Sequence, residues 1–237
     1  MESKEDTGGG PPLVGVAVPA AGQGVRMGGI RKPFLELLGE PILAWALRPF
    51  LQHPRVAAVA VALGADDCSP PPGWLANWDP RIRIVPGGET RGDSVRAALH
   101  ALPDDLSVIA VHDAARPLIT GSIIDRCLAE VREGRGAVAG WPAVDTLKEV
   151  DEQGRILATP DRDRFWHAQT PQVFPRRLLL DAYRHALETG IRETDDAALV
   201  EAFGGEIVMV PGSARNLKVT RPEDLPLAEF LANLGEV

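Results

Sequence analysis

The chain has only two cysteines, no apolar run of membrane-spanning length and no surplus of basic charge. Each shortage excludes something. Cys68 and Cys127 fit no zinc or CxxC spacing, and the sequence shows no secretory context, so they read as free thiols in a reducing cytoplasm. An α-helical membrane span needs about 20 consecutive apolar residues, and no stretch approaches that. The formal net charge of -8 argues against a nucleic-acid binder, because such proteins usually carry a basic patch or a high pI. It also requires that any phosphate site be built from cations clustered locally against the overall field. Residues Met1 to Pro12 are polar, acidic and rich in Gly and Pro. They lack the basic start and apolar stretch of a signal peptide and read as a disordered tail.

What is present is the composition of a soluble globular protein, with 45% hydrophobic and 24% charged residues. The length suits one α/β domain, taken as residues 13–233. Strands are expected at Leu13–Pro19, Val56–Leu63, Arg83–Pro86, Ser107–Val111, Ala137–Trp141 and Ile207–Val210. Helices are expected at Ile42–Gln52, Ser94–Leu102, Ser122–Glu133, Leu178–Leu187, from an N-cap at Thr194 to Phe203, and from Thr220 to Asn233. Pro49 should kink or shorten the first helix. Capping boxes are read at Ser122/Asp125 and Thr220/Glu223. Ala65–Pro80 reads as loop with one short helical turn. This alternation predicts a doubly wound, mostly parallel sheet of Rossmann-like type, with ligands beyond the carboxyl ends of its strands. Residues 144–169 break the alternation. Two short β-prone segments around the turn Asp151–Gly154 suggest a projecting hairpin arm.

Five motifs carry possible chemistry. Pro19-Ala20-Ala21-Gly22-Gln23-Gly24-Val25-Arg26-Met27, with Lys32 after it, follows the first strand. Its small residues let main-chain N–H groups approach an anion, and Arg26 and Lys32 add charge. It is neither the dinucleotide fingerprint nor a Walker A loop, and it could be only a tight turn. Gly87-Gly88-Glu89-Thr90-Arg91-Gly92-Asp93-Ser94 leads into a helix, whose positive end and Ser94 hydroxyl suit a phosphate, or merely cap the helix. In Val111-His112-Asp113-Ala114-Ala115-Arg116-Pro117, Asp113 ends a central strand, where a carboxylate can hold magnesium shared with phosphates. Arg116 could clamp a phosphate, or the two could form a buried pair that closes the loop. His112 points away and reads as structural. Lys218, in Asn216-Leu217-Lys218-Val219-Thr220, is one of four lysines and hints at a point-charge contact. Thr170-Pro171-Gln172, with Arg162, Arg164, Trp166 and His167 upstream, suits a core or dimer contact better than base stacking.

In this order the motifs resemble the 2-C-methyl-D-erythritol 4-phosphate cytidylyltransferases of the non-mevalonate isoprenoid pathway. The resemblance runs from about Val14 to Leu231 and adds Asp145-Thr146-Leu147-Lys148 and Trp166-His167-Ala168-Gln169-Thr170-Pro171-Gln172. It implies CMP transfer from CTP to a polyol phosphate. Arg26, Lys32 and Lys218 would hold and polarise the triphosphate. Ala20, Ala21, Gly88, Glu89 and Ser94 would surround cytosine and ribose, beside Gly22 and Gly24. Asp113 would bind Mg2+ or another divalent cation. Arg116, Thr146, Arg162, Thr194 and Asp195 would serve the acceptor. The arm would clasp a partner in a homodimer with shared active sites. Three positions depart from the family pattern: Lys32 sits in Arg31-Lys32-Pro33-Phe34, one residue closer to Met27; Glu89 replaces Asp; Asp196 replaces Glu. A sister enzyme acting on ribitol 5-phosphate, and a non-catalytic CTP-binding module, are the competing readings.

Overall fold

The computed structural model describes residues 13–22, 31–191 and 194–235. The amino-terminal tail, Gly24 and Arg26 lie outside the described residues. Eleven strands are described: β1 Val14–Ala20, β2 Glu36–Leu37, β3 Glu40–Pro41, β4 Val56–Leu63, β5 Ile82–Pro86, β6 Val108–Val111, β7 Arg135–Pro142, β8 Glu149–Val150, β9 Ile156–Ala158, β10 Trp166–Pro175 and β11 Glu206–Pro211. The helices are α1 Ile42–Gln52, α2 Ala65–Cys68, α3 Gly73–Ala76, α4 Arg91–Ala101, α5 Gly121–Glu130, α6 Arg176–Thr189, α7 Asp196–Phe203 and α8 Asp224–Asn233.

Seven strands form one sheet in the order β11-β7-β10-β6-β1-β4-β5. All neighbours are parallel except β10, which runs antiparallel to both β6 and β7. The carboxyl ends of β1, β4, β5 and β6 therefore share one edge. Strand periodicity divides the core into two faces. Val56, Val59, Val61 and Leu63 of β4 pack with Leu43, Leu47 and Phe50 of α1 and with Ile123, Ile124 and Cys127 of α5. The alternating Ala58, Ala60 and Ala62 face the other way, against Val95, Ala98 and Leu99 of α4. Small side chains there let α4 lie close to the sheet, which brings its N-terminus to the carboxyl edge of the strands.

Several boundaries differ from expectation, for local reasons. Pro49 lies inside α1 without ending it. α4 begins at Arg91, because Thr90 and Asp93 form a reciprocal capping box three residues before the expected start. α5 starts after Thr120 with no side-chain cap, so the box expected at Ser122/Asp125 does not form. The N-cap of α7 is Asp195, whose Oδ1 accepts from the Ala198 amide at 3.0 Å, and not Thr194. α8 begins only at Asp224. Its carboxylate accepts from the Thr220 amide at 2.7 Å and hydroxyl at 2.9 Å, replacing the Thr220/Glu223 box. The 65–80 segment holds two short helices instead of one turn.

The largest difference is β10: no strand was expected here and 166–169 were assigned to the arm, whereas these residues start a central strand that buries Thr170 and Gln172 in the expected core contact. Its polar residues find partners on all sides. The Thr170 hydroxyl lies 3.0 Å from His112 Nδ1, the Gln172 amide donates to Asp195 Oδ2 at 2.7 Å, and the Gln169 amide donates to the Ser213 carbonyl at 2.8 Å. The hairpin is present as β8–β9. Val144, Ile156 and Leu157 on the arm are 65%, 62% and 62% exposed, and Trp141, Val150, Phe165 and Trp166 are exposed as well.

Candidate active site

The carboxyl edges of β1, β5 and β6 meet the 211–220 segment in one place. Ala20 closes β1, and the Gly87-Gly88 turn follows β5. A Cβ on Gly87 would lie 2.5 Å from the Ala21 Cβ and 2.8 Å from the Ser94 Oγ, so only glycine lets the two loops come this close. The Gly88 amide donates to Ser94 Oγ at 3.2 Å, fixing that turn on the first part of α4. Glu89 is exposed beside it, and Gly22 is exposed beyond Ala21.

Asp113 follows β6 and is the hub of a charge cluster. Lys218 Nζ donates to its Oδ2 at 2.7 Å, Arg91 Nε donates to its Oδ1 at 3.0 Å, and Arg116 Nε lies 3.9 Å from Oδ2. Burial alone would raise the Asp113 carboxyl, but these three cations hold it far below the usual carboxylate range, so it is ionised. The Arg116 Nε is buried with no hydrogen-bond acceptor among the described residues, an unusual state for a native donor.

The loops that carry these groups are tied together. The Arg116 guanidinium donates to the Asn216 carbonyl at 2.8 Å, the Val219 amide to the Ala115 carbonyl at 2.8 Å, and the Asn216 amide to the Thr170 carbonyl at 2.9 Å. Lys32 Nζ donates to the Thr220 carbonyl at 3.1 Å, which brings the second lysine to the same segment as Lys218. Asp224 in turn anchors Thr220.

His112 is structural, as expected. It is fully buried, stacks in a tilted arrangement on Phe50 at 5.0 Å, and is neutral because burial lowers its pKa to about 4. The Asp113 amide donates to Thr170 Oγ1 at 3.0 Å, and because the Arg116 carbonyl can only accept from the other ring nitrogen of the neutral imidazole, that hydroxyl donates to an unprotonated His112 Nδ1. His112 Nε2 then carries the proton and donates to the Arg116 carbonyl at 3.1 Å. This chain fixes the backbone on which Asp113 and Arg116 sit.

The structure thus joins Lys32, Asp113, Arg116 and Lys218, with Ala20, Ala21, Gly88 and Ser94 lining the neighbouring turns. Thr146 and Arg162 stand apart on the arm, exposed, with Arg162 donating to the Val144 carbonyl at 2.8 Å. Thr194 is exposed, and Asp195 is engaged as helix cap and as acceptor for Gln172. Sequence reasoning missed Arg91 and Asp196 as parts of the charge cluster. Arg91 also contacts Asp196 Oδ2 at 2.8 Å, and Asp196 is fully buried. The Thr90-x-x-Asp93 spacing was the available signal, since a capping box there puts Arg91 on the first turn facing the strand ends.

Among the described residues no three His, Cys, Asp or Glu side chains converge on a metal position. Asp113 offers one ionised carboxylate, and each of its oxygens keeps a second lone pair beside the donor it already accepts from. That donor set fits a magnesium ion held mainly by substrate phosphates, the usual mode for Mg2+, with Asp113 as its protein ligand.

The family model for 2-C-methyl-D-erythritol 4-phosphate cytidylyltransferase matches residues 14–233. A relative of that name from Symbiobacterium thermophilum is 43% identical over 220 residues, covering 92% of each chain. One from Haemophilus influenzae is 41% identical over 214 residues, 90% of this chain and 93% of the relative. Among solved structures, the 4-diphosphocytidyl-2C-methyl-D-erythritol synthase of Anaerococcus prevotii superposes with a TM-score of 0.84 at 27% identity, covering 95% of this chain and 97% of that one. The 2-C-methyl-D-erythritol 4-phosphate cytidylyltransferase of Thermus thermophilus gives 0.74 at 34% identity, covering 94% and 98%.

Proposed function

The chain belongs to the 2-C-methyl-D-erythritol 4-phosphate cytidylyltransferase family, and from that premise we propose that it transfers CMP from CTP to 2-C-methyl-D-erythritol 4-phosphate. The products are 4-diphosphocytidyl-2-C-methyl-D-erythritol and pyrophosphate. The observation that carries the reading is the cluster of Lys218, Arg91 and Arg116 around Asp113 at the carboxyl edge of the sheet, with Lys32 brought to the neighbouring Thr220 carbonyl.

An oxygen of the acceptor phosphate attacks the α-phosphorus of CTP, and pyrophosphate leaves in line. A phosphate monoester has a second pKa of about 6, so the nucleophile is already charged at neutral pH and needs no general base. The single buried histidine of the site is accordingly free to serve structure. The chain's part is positioning and charge stabilisation. Lys32 and Lys218 hold the triphosphate, and Arg26 adds a third cation to it. The unsatisfied Nε of Arg116 supplies a donor for a phosphate oxygen. Ala20, Ala21, Gly22, Gly24, Gly88, Glu89 and Ser94 enclose cytosine and ribose. Magnesium bound to the triphosphate and Asp113 would neutralise charge on the leaving pyrophosphate.

The acceptor site is completed in a homodimer. The arm exposes Val144, Val150, Ile156 and Leu157, and an isolated hairpin is marginal in water unless it packs. Packed on a two-fold partner, the arm delivers Thr146 and Arg162 to the other subunit's pocket, opposite Thr194 and Asp195. Cys68 and Cys127 are free thiols, in keeping with a cytoplasmic enzyme, and none of the described helices is long and apolar enough to cross a membrane.

The test is pyrophosphate release from CTP with methylerythritol phosphate and with ribitol 5-phosphate, side by side. Turnover with the first and a much lower kcat/KM with the second is expected. Preference for ribitol 5-phosphate, or CTP binding without turnover, refutes the assignment.

A further inference from the structure

Arg91 is given no contact with substrate above, yet its guanidinium joins carboxylates from two elements. Its Nε donates to Asp113 Oδ1 at 3.0 Å, and its Nη1 lies 2.8 Å from Asp196 Oδ2. The other oxygen of Asp196 accepts from the hydroxyl of Tyr183 on α6, the only tyrosine in the chain. The resulting line runs from the Lys218 side chain, 39% exposed, through Asp113 at 10% and Arg91 at 29%, to Asp196 at 0%.

A fully buried carboxylate is costly even when paired, and well-packed apolar residues often stabilise such a place equally well. Stability alone therefore gives no reason for this arrangement. Arg91 occupies the first position of α4, its backbone set by the Thr90/Asp93 box. Its planar fork can meet two carboxylates at fixed angles, which a single ammonium cannot.

We infer that Arg91 is a positioning residue for the transfer reaction: anchored from behind by Asp196 and Tyr183, it holds Asp113 through Oδ1 and leaves Oδ2 to Lys218 and to the magnesium that arrives with the triphosphate. When the triphosphate draws Lys218 toward its oxygens, Arg91 keeps the Asp113 carboxylate in place, so the lysine moves against a fixed anion.

This inference rests on the CMP transfer proposed above, and a double-mutant cycle separates the two. The full-length enzyme is compared with Arg91→Lys, Lys218→Ala and the double variant, measuring kcat, the KM for CTP and thermal unfolding. If Arg91 acts through Asp113 and Lys218, Arg91→Lys lowers kcat by ~10-fold or more with CTP KM changed less than ~3-fold. In the Lys218→Ala background the same substitution then costs less than ~2-fold, because its target is gone. An equal loss in both backgrounds means a merely structural role and overturns the inference, as does an unchanged kcat in the single variant. Should Arg91→Lys fail to fold, Tyr183→Phe enters the same cycle and is judged by the same non-additivity, with an expected single loss of ~3-fold. Wild-type protein that does not turn over CTP with the acceptor sinks the reaction itself, and the inference with it.

Discussion

One buried histidine should make the fold acid-sensitive well above the range in which carboxylates titrate. His112 has its pKa lowered from 6.5 to about 4, chiefly by burial, with the Arg116 carbonyl and Asp113 opposing that effect and Arg116 and Lys218 adding to it. The folded state therefore holds a neutral imidazole where the unfolded chain binds a proton. Between pH 6.5 and about 4 the unfolded state carries up to one more proton, so stability falls as pH falls through that window and is fully present above it. Each pH unit corresponds to about 1.4 kcal/mol, so the 1.5 units from 6.5 down to 5 cost about 2 kcal/mol. Urea unfolding at pH 7 and pH 5 measures this in wild type and in His112→Gln. The glutamine variant should be less stable at pH 7 by about 1–3 kcal/mol, since it disturbs the chain from Thr170 to the Arg116 carbonyl. Its loss between pH 7 and pH 5 should be about 2 kcal/mol smaller than that of wild type. The other four histidines are common to both proteins and cancel. Equal losses in the two proteins would refute the reasoning.

Further outcomes follow from the charge cluster and the arm. Lys32→Ala and Lys218→Ala should each lower kcat by at least ~100-fold with unchanged circular dichroism, because a preorganised cation acts most strongly on charge that grows in the transition state. Arg26→Lys should also lower kcat, a point charge being a poor substitute for a bidentate fork; wild-type kcat in any of these variants removes that residue from the mechanism. Excess EDTA should abolish turnover, and CTP should outperform ATP, GTP and UTP; undiminished rates with EDTA or equal rates with all four nucleotides contradict the proposed metal and base pocket. Heterodimers formed from Lys32→Ala and Arg162→Ala protomers should recover up to about half of wild-type activity, since two-fold sharing leaves one pocket with neither lesion. No recovery means that the arm acts on its own subunit.

Elements with an unbroken or periodic apolar pattern were plain in the sequence. Val56–Leu63 is a continuous run of Val, Ala and Leu, buried on both faces, and its limits match the structure. β10 was hidden because its stability comes from partners far along the chain. Gln169, Thr170 and Gln172 look like loop residues until Ser213, His112 and Asp195 are placed around them. Propensity cannot register such pairings. Asp113 and Arg116 were legible because their motif directly follows a strand, and the lysines because each stands in or just after a short motif. Arg91 and Asp196 were not, since their meaning lies in a contact between α4 and α7, 105 residues apart in sequence.

The central claim is that an acceptor phosphate oxygen forms a bond to the α-phosphorus of CTP. Oxygen-18 placed in the three non-ester oxygens of the methylerythritol phosphate follows that bond directly by mass spectrometry of the products. The account predicts that all three labelled oxygens remain in the diphosphocytidyl product, one of them bridging the two phosphorus atoms, and that the released pyrophosphate is unlabelled. Label in the pyrophosphate, or CMP released without a labelled diphosphate product, would contradict it.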